Sequence, residues 1–152
     1  MLGPLFGGFP AGRVIATAIP NVFFTEILPE VDSLAELKLT LHVLWRISLK
    51  KNAQRYVTVG DLMADPVLLR SLGPDSAHAR QALDGGLNAA VARRTLLRAS
   101  VKTAKGSVEV VVANSETGRA SLAQFERDGA TVEEAVLSSS ETVRRPNIFE
   151  MY

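Results

Sequence analysis

The stretch TVGDLMADPVLLRSLGPDSAHARQALDGGLNAAVARRTLLRASVKTAKGSVEVVVAN (58–114) decides the fold, because its apolar period changes part-way along. In SAHARQALDGGLNAAVARR (76–94), Ala79, Leu83, Leu87, Ala90 and Val91 form one stripe of a long helix that Ser76 is placed to cap. Ahead of it, a helical segment starting near Thr58 pauses at Asp65-Pro66 and restarts there, since Pro suits a first helical position and Asp the cap before it. Gly73-Pro74 then breaks the chain. After Thr95 the period falls to two. Leu97, Ala99 and Val101 alternate with Arg98, Ser100 and Lys102, the pattern of a strand with one wet face. Ala104-Lys105-Gly106 turns LLRASVKT (96–103) back into SVEVVVAN (107–114) as a hairpin. Gly85-Gly86 costs about 1 kcal/mol per glycine inside the helix, so close packing or a kink is expected there.

Upstream, DSLAELKLTLHVLWRISLKKN (32–52) predicts another long helix. Ser33 and Glu36 match a capping box, and Lys50 and Lys51 in the last turn suit the helix dipole. Leu34, Leu37, Leu41, Leu44, Trp45 and Ser48 make one stripe, with Trp45 read as core, and Leu39, Val43 and Ile47 make a second. A helix apolar on most sides lies within a core or a subunit interface. YVTV (56–59) is a short extended piece. NVFFTEIL (21–28) reads as a short helix capped by Asn21, and the β-branched RVIATAI (13–19) as a strand. Residues 1–12 are rich in Gly and Pro and are expected to be flexible. Downstream, SETGRASLAQFERDG (115–129) predicts a final helix, and residues 130–145, with SSSE and RRP, have the composition of a linker.

Composition narrows the function classes. Lys and Arg total 17 against 16 Asp and Glu, so the net charge of +1 gives no whole-molecule attraction to a polyanion. The absence of cysteine excludes disulfides and thiolate metal ligands. No apolar run reaches a membrane span and MLGPLFGGFPAGR lacks a basic signal-peptide start, so a cytoplasmic protein without membrane contact is expected. No nucleophile and base pattern, strand-to-helix phosphate loop or paired metal-ligand spacing is present, so neither an enzyme nor a cofactor is expected. His42, within the apolar helix, reads as a satisfied core or interface histidine.

The order helix, helix, short strand, helix, helix, hairpin is that of a winged helix-turn-helix, an α+β and mainly α fold, here with an extra N-terminal strand and helix and a C-terminal helix over residues 13–129. Against that frame, PNVFFTEILPEVDSLAELKLTLHVLWRIS (20–48), RYVTVGDLMADPVLLRSL (55–72) and LNAAVARRTLL (87–97) resemble the N-terminal region of DnaD-type primosomal replication-initiation proteins. PNIFEMY (146–152) is similar to the opening of that family's C-terminal domain, whose first helix starts Asn-Ile-Phe and runs into a Tyr-Glu-Gln-Asn sequence. This chain stops at Tyr152, before that continuation, so residues 146–152 are expected to begin a second domain missing from the chain. The resemblance implies a DNA-replication scaffold that self-associates and contacts replication-initiation and helicase-loading proteins.

Two groups of residues are candidate sites. Arg80, Arg93, Arg94, Arg98, Lys102 and Lys105 fall on the second helix of the helix-turn-helix and on the wing, where a winged helix meets phosphates, whereas 26–36 is acidic. The alternative is that these cations only solvate exposed faces. Asn88 and Gln81 are the only amides of that helix, so sequence-specific readout, and with it a winged-helix transcriptional regulator, is disfavoured. A purely structural interaction module is the third class. Phe6, Phe9, Val14, Ile15, Ile19, Phe23 and Phe24 exceed what a small winged helix needs to cover itself, and Val14, Ile15, Ile19, Phe23 and Phe24 are candidates for self-association as a homodimer or higher oligomer.

Overall fold

The computed structural model describes residues 5–51 and 54–135, of which 5–20 adopt no regular secondary structure. RVIATAI therefore does not form the expected strand. Its β-branched residues suit one, but a strand needs a neighbour for its N–H and C=O groups, and none is paired with it among the described residues. The chain then makes one wide helical turn over Phe23–Ile27 and a tighter one over Leu28–Glu30. Val22 occupies the cap of the first turn without a side-chain bond, so Asn21 does not cap it.

Helix α1 spans Leu34–Ser48 and starts as expected, with the Ser33 hydroxyl accepting from the Glu36 amide at 3.2 Å. It ends before Lys50 and Lys51, and Arg46 is the basic residue of its last turn. Its buried side is the second stripe, Leu39, Val43 and Ile47. Leu34 and Trp45 of the first stripe are exposed instead, Trp45 at 41%. Strand β1 (Val57–Thr58) leads directly into α2 (Val59–Met63), capped by Thr58. Asp65 caps α3 (Pro66–Leu72) as the sequence predicts, accepting from the Val67 and Leu68 amides. Asp75, not Ser76, caps α4 (Ser76–Arg93), because its carboxylate accepts from the His78 amide at 2.9 Å. The α4 stripe is buried as expected, Ala79, Leu83, Leu87, Ala90 and Val91 all facing inward.

Strands β2 (Leu96–Thr103) and β3 (Gly106–Ala113) form the hairpin, and α5 (Glu116–Arg127) follows with Ser115 as cap. The segment with linker composition begins with a strand, β4 (Thr131–Glu134), which pairs antiparallel with β2, Val132 opposite Val101. The rest of that segment, 136–145, and the expected second-domain start, 146–152, lie outside the described residues, as do residues 1–4 of the expected flexible start. The whole is α+β, with an antiparallel sheet in the order β1-β3-β2-β4.

Both sheet faces are covered. On one, Leu96 and Val111 join Leu39, Val43, Leu68, Leu83 and Leu87 in a core built with α1, α3 and α4. On the other, Leu97, Ala99, Val101, Val110 and Val112 pack with Leu122 of α5, extended by Phe125, Tyr56 and Val132. The alternation in β2 holds as expected: Leu97, Ala99 and Val101 enter the second core, Arg98 and Ser100 are half-buried and Lys102 is exposed, and of this strand only Leu96 joins the first core.

The two adjacent glycines of α4 differ. A Cβ on Gly86 would stand 2.9 Å from the Ala35 carbonyl carbon and oxygen of α1, so this glycine permits the close helix crossing. A Cβ on Gly85 would meet nothing within 4 Å. Gly85→Ala should therefore raise stability by up to about 1 kcal/mol through helix propensity, whereas Gly86→Ala should lower it by about 1–3 kcal/mol through overpacking. Urea unfolding of the two single variants checks this, and equal effects would show that the crossing does not depend on Gly86.

Candidate functional site

Of the six basic residues expected to meet phosphates, the fold uses three internally. Arg93 is the clearest case. Its Nε donates to Glu36 Oε2 at 2.7 Å and its Nη2 to Glu36 Oε1 at 3.1 Å, a two-point pair joining α4 to α1. The Glu36 side chain is 2% exposed. So the carboxylate does not return to the Ser33 amide as a capping box would have it, but reaches across to α4. Bonding to Glu36 raises Arg93 above its usual value against the opposing effect of burial, and the charges of Glu36, Asp32 and Glu30 add to it. Arg93 is therefore a structural cation whose charge is matched within the fold. Arg98 Nε donates to Glu109 Oε1 at 2.7 Å and its Nη1 to Asn88 Oδ1 at 3.4 Å. Lys102 lies 3.7 Å from Glu133, a residue that β4 brings alongside.

Arg80, Arg94 and Lys105 are exposed, and their side chains have no partner among the described residues. They are not gathered: Arg80 and Arg94 are roughly 20 Å apart along α4 at the usual rise per residue. Arg94 is unusual in another way. It ends α4 with φ 71, the left-handed conformation that glycine adopts most easily. Its carbonyl accepts from Asn114 Nδ2 at 2.9 Å, and Asn114 Oδ1 accepts from Arg119 at 2.8 Å. Arg119, one turn into α5, is thus a cation near Arg94 that sequence reasoning missed. Only the Asn114 bridge, twenty residues from Arg94, joins the two, and neither residue type nor spacing signals it.

A second cluster lies at the C-terminal end of α1. Asp65 Oδ2 accepts from His42 Nε2 at 2.7 Å and from Arg46 Nη1 at 2.6 Å, while Oδ1 accepts from the Val67 and Leu68 amides at 3.0 and 3.2 Å. His42 is thus satisfied, as expected. Its ring also packs edge-on against Trp45, with centroids 5.2 Å apart. Burial alone would raise the Asp65 carboxyl, but the bonds from His42, the Leu68 amide and Arg46, with the attraction of His42, hold it down at about 2. Four donors on one carboxylate make a clamp between α1 and α3. Beside it a cleft of about 460 Å³ is lined by Trp45, Leu49, Pro66 and Val67, with Asp61 in the lining.

The self-association candidates divide similarly. Val14 and Ile15 are exposed, Ile15 at 98%, and so is Phe24. Ile19 is half-buried. Phe23 is buried in its own chain and cannot serve a partner without leaving it. Phe6 and Phe9 of the apolar surplus are exposed as well, and so is Leu5.

Among the described residues no group of three His, Asp or Glu side chains is placed to hold a metal ion, and no helix is long and apolar enough to cross a membrane. Comparison with protein-family models, with curated proteins and with solved structures finds no match to the chain.

Two outcomes test this geometry. Arg93→Met leaves Glu36 buried without a cation and should cost about 3–5 kcal/mol, while Glu36→Met with Arg93→Met should recover most of that loss. A double-mutant cycle by urea unfolding measures it, and a small single-variant cost would return Arg93 to the surface. For Asp65 the folded value lies below the unfolded one, so its stabilisation is complete above about pH 5 and is lost as pH falls towards 2. The loss should amount to roughly 2 kcal/mol. The stability gap between the protein and its Asp65→Asn variant should accordingly narrow between about pH 5 and pH 2.5, and a constant gap would refute the clamp.

Proposed function

We propose that this chain is an assembly module of a replication-initiation protein: a winged helix that self-associates through its N-terminal segment in a primosomal scaffold. The observation that carries the reading is the uncovered segment itself. Leu5, Phe6, Phe9, Val14 and Ile15 are all exposed ahead of a body whose own core is complete without them. Apolar side chains left in water gain nothing until something buries them. The element order α1, β1, α2, α3, α4, β2, β3, with strand order β1-β3-β2, supports the winged-helix reading, in which α4 is the second helix of the helix-turn-helix and the hairpin is the wing. The replication role rests on the sequence resemblance to DnaD-type proteins. It brings with it the expected partners, helicase-loading and initiation proteins, and a cytoplasmic location.

A weaker, sequence-independent DNA contact is a second reading, favoured by Arg94. Its side chain is unpaired at a backbone position where glycine would be the easier choice, the sort of local cost that persists where a side chain is needed. A base-reading regulator is disfavoured, because Asn88 already accepts from Arg98, which leaves Gln81 as the one exposed amide of α4.

Sedimentation at micromolar concentration should give at least twice the 16.4 kDa monomer mass, falling to the monomer when residues 1–20 are deleted. A monomer indifferent to that deletion would remove the proposal. In a salt titration against random duplex, three unpaired cations limit the slope of log affinity against log salt to about −3, and neutralising Arg94 and Lys105 should flatten it by about two units. No binding at all would leave a pure assembly module.

A further inference from the structure

The N-terminal segment and the cleft beside α1 are complementary in apolar character and in charge. The segment's only charged residue through Thr25 is Arg13, followed directly by Val14 and Ile15. The cleft has an apolar wall of Trp45, Leu49, Pro66 and Val67. Of its two carboxylates, Asp65 is already paired with Arg46 and His42, whereas Asp61 has no cation among the described residues. An apolar cleft with one unpaired carboxylate therefore faces a segment with one unpaired cation and two aliphatic side chains. The segment also passes close by. Thr17 Oγ1 lies 3.5 Å from Ser48 Oγ, and the Ser48 hydroxyl donates to the Trp45 carbonyl at 2.7 Å. Yet Ile15, two residues from that contact, is 98% exposed, so the segment runs past its own cleft without entering it.

We propose that Arg13, Val14 and Ile15 of one copy dock in the Trp45–Leu49–Val67 cleft of a second copy, with Arg13 on the partner's Asp61. This rests on the self-association reading above and names its surface. A two-fold pair is satisfied reciprocally, each copy giving one segment and receiving one. The exchange covers Val14 and Ile15 of each segment and half-exposed Trp45, Leu49 and Val67 of each body at once, which folding of the single chain leaves in water.

The absence of cysteine makes a direct test possible. Ile15→Cys and Val67→Cys variants each carry a single thiol, and neither position is buried. When the two are mixed, one bearing a mass tag, mild oxidation should yield chiefly the hetero-linked dimer, because a disulfide requires Cα atoms within about 7 Å. A Val67→Asp variant, checked for folding by circular dichroism, should raise the dimer dissociation constant roughly tenfold or more, the change that about 1.4 kcal/mol produces. A dimer that persists with no hetero-link, and is indifferent to Val67→Asp, would overturn the exchange while leaving self-association intact. So would links that form only within one chain of an Ile15→Cys/Val67→Cys double variant, which would show that the segment closes on its own body. Capture of a foreign basic-apolar peptide by the cleft without any chain-to-chain link would likewise assign it elsewhere. A strictly monomeric chain would overturn both proposals together.

Discussion

Gly86 of α4 lies against the Ala35–Glu36 peptide of α1 so closely that a methyl group would collide with it, and the arrangement of the other elements depends on that approach. Glu36 follows Ala35 directly, so the crossing carries a carboxylate into the interior at the start of α1, where the helix dipole favours a negative charge. Seven residues beyond Gly86, Arg93 comes round α4 to meet it. A tight helix crossing, a buried acid and a matching guanidinium are thus one construction. It fixes α4 on α1 and presents Leu83, Leu87, Ala90 and Val91 to the sheet. It also decides what remains outside, since the charge of Arg93 is matched by a buried carboxylate of its own fold.

Periodicity made much of this architecture legible. The α4 stripe, the alternation in β2 and the caps Ser33, Thr58, Asp65 and Ser115 are local signals, each contained in a few consecutive residues. What stayed hidden depends on distance or on balance. Strand β4 has Val132 as its one inward apolar residue among Thr131, Glu133 and Glu134, and short charged edge strands look like linker in composition. In α1, apolar residues surround the axis, so the pattern has no phase, and it took the fold to choose Leu39, Val43 and Ile47 over Leu34 and Trp45. RVIATAI shows the opposite failure: strand-like residues without a partner strand among the described residues.

The candidate sites were legible as charges and greases but not as partners. A sequence counts six cations over 80–105; it does not show that Arg93 meets an acid 57 residues earlier or that Lys102 faces Glu133. Equally, the surplus of apolar residues near the N-terminus was visible, but not that Phe23 would be absorbed by its own core while Ile15 stood clear of it. Among the described residues, subtracting the internally matched ones leaves the unpaired Arg80, Arg94 and Lys105 and the uncovered segment beside the Trp45 cleft.

The second core, beneath α5, has a consequence for how this protein can be cut. Leu97, Ala99, Val101, Val110 and Val112 form a continuous aliphatic surface on the hairpin, Val132 of β4 extends it, and Leu122 and Phe125 of α5 roof it. A truncation ending after β3, at Ala113, would keep every helix of the first core yet leave that sheet face bare, with the β2 edge vacated by β4 beside it. Such a fragment would be prone to stack face to face or edge to edge and to form aggregates. Their mass in solution would say nothing about how the intact chain assembles.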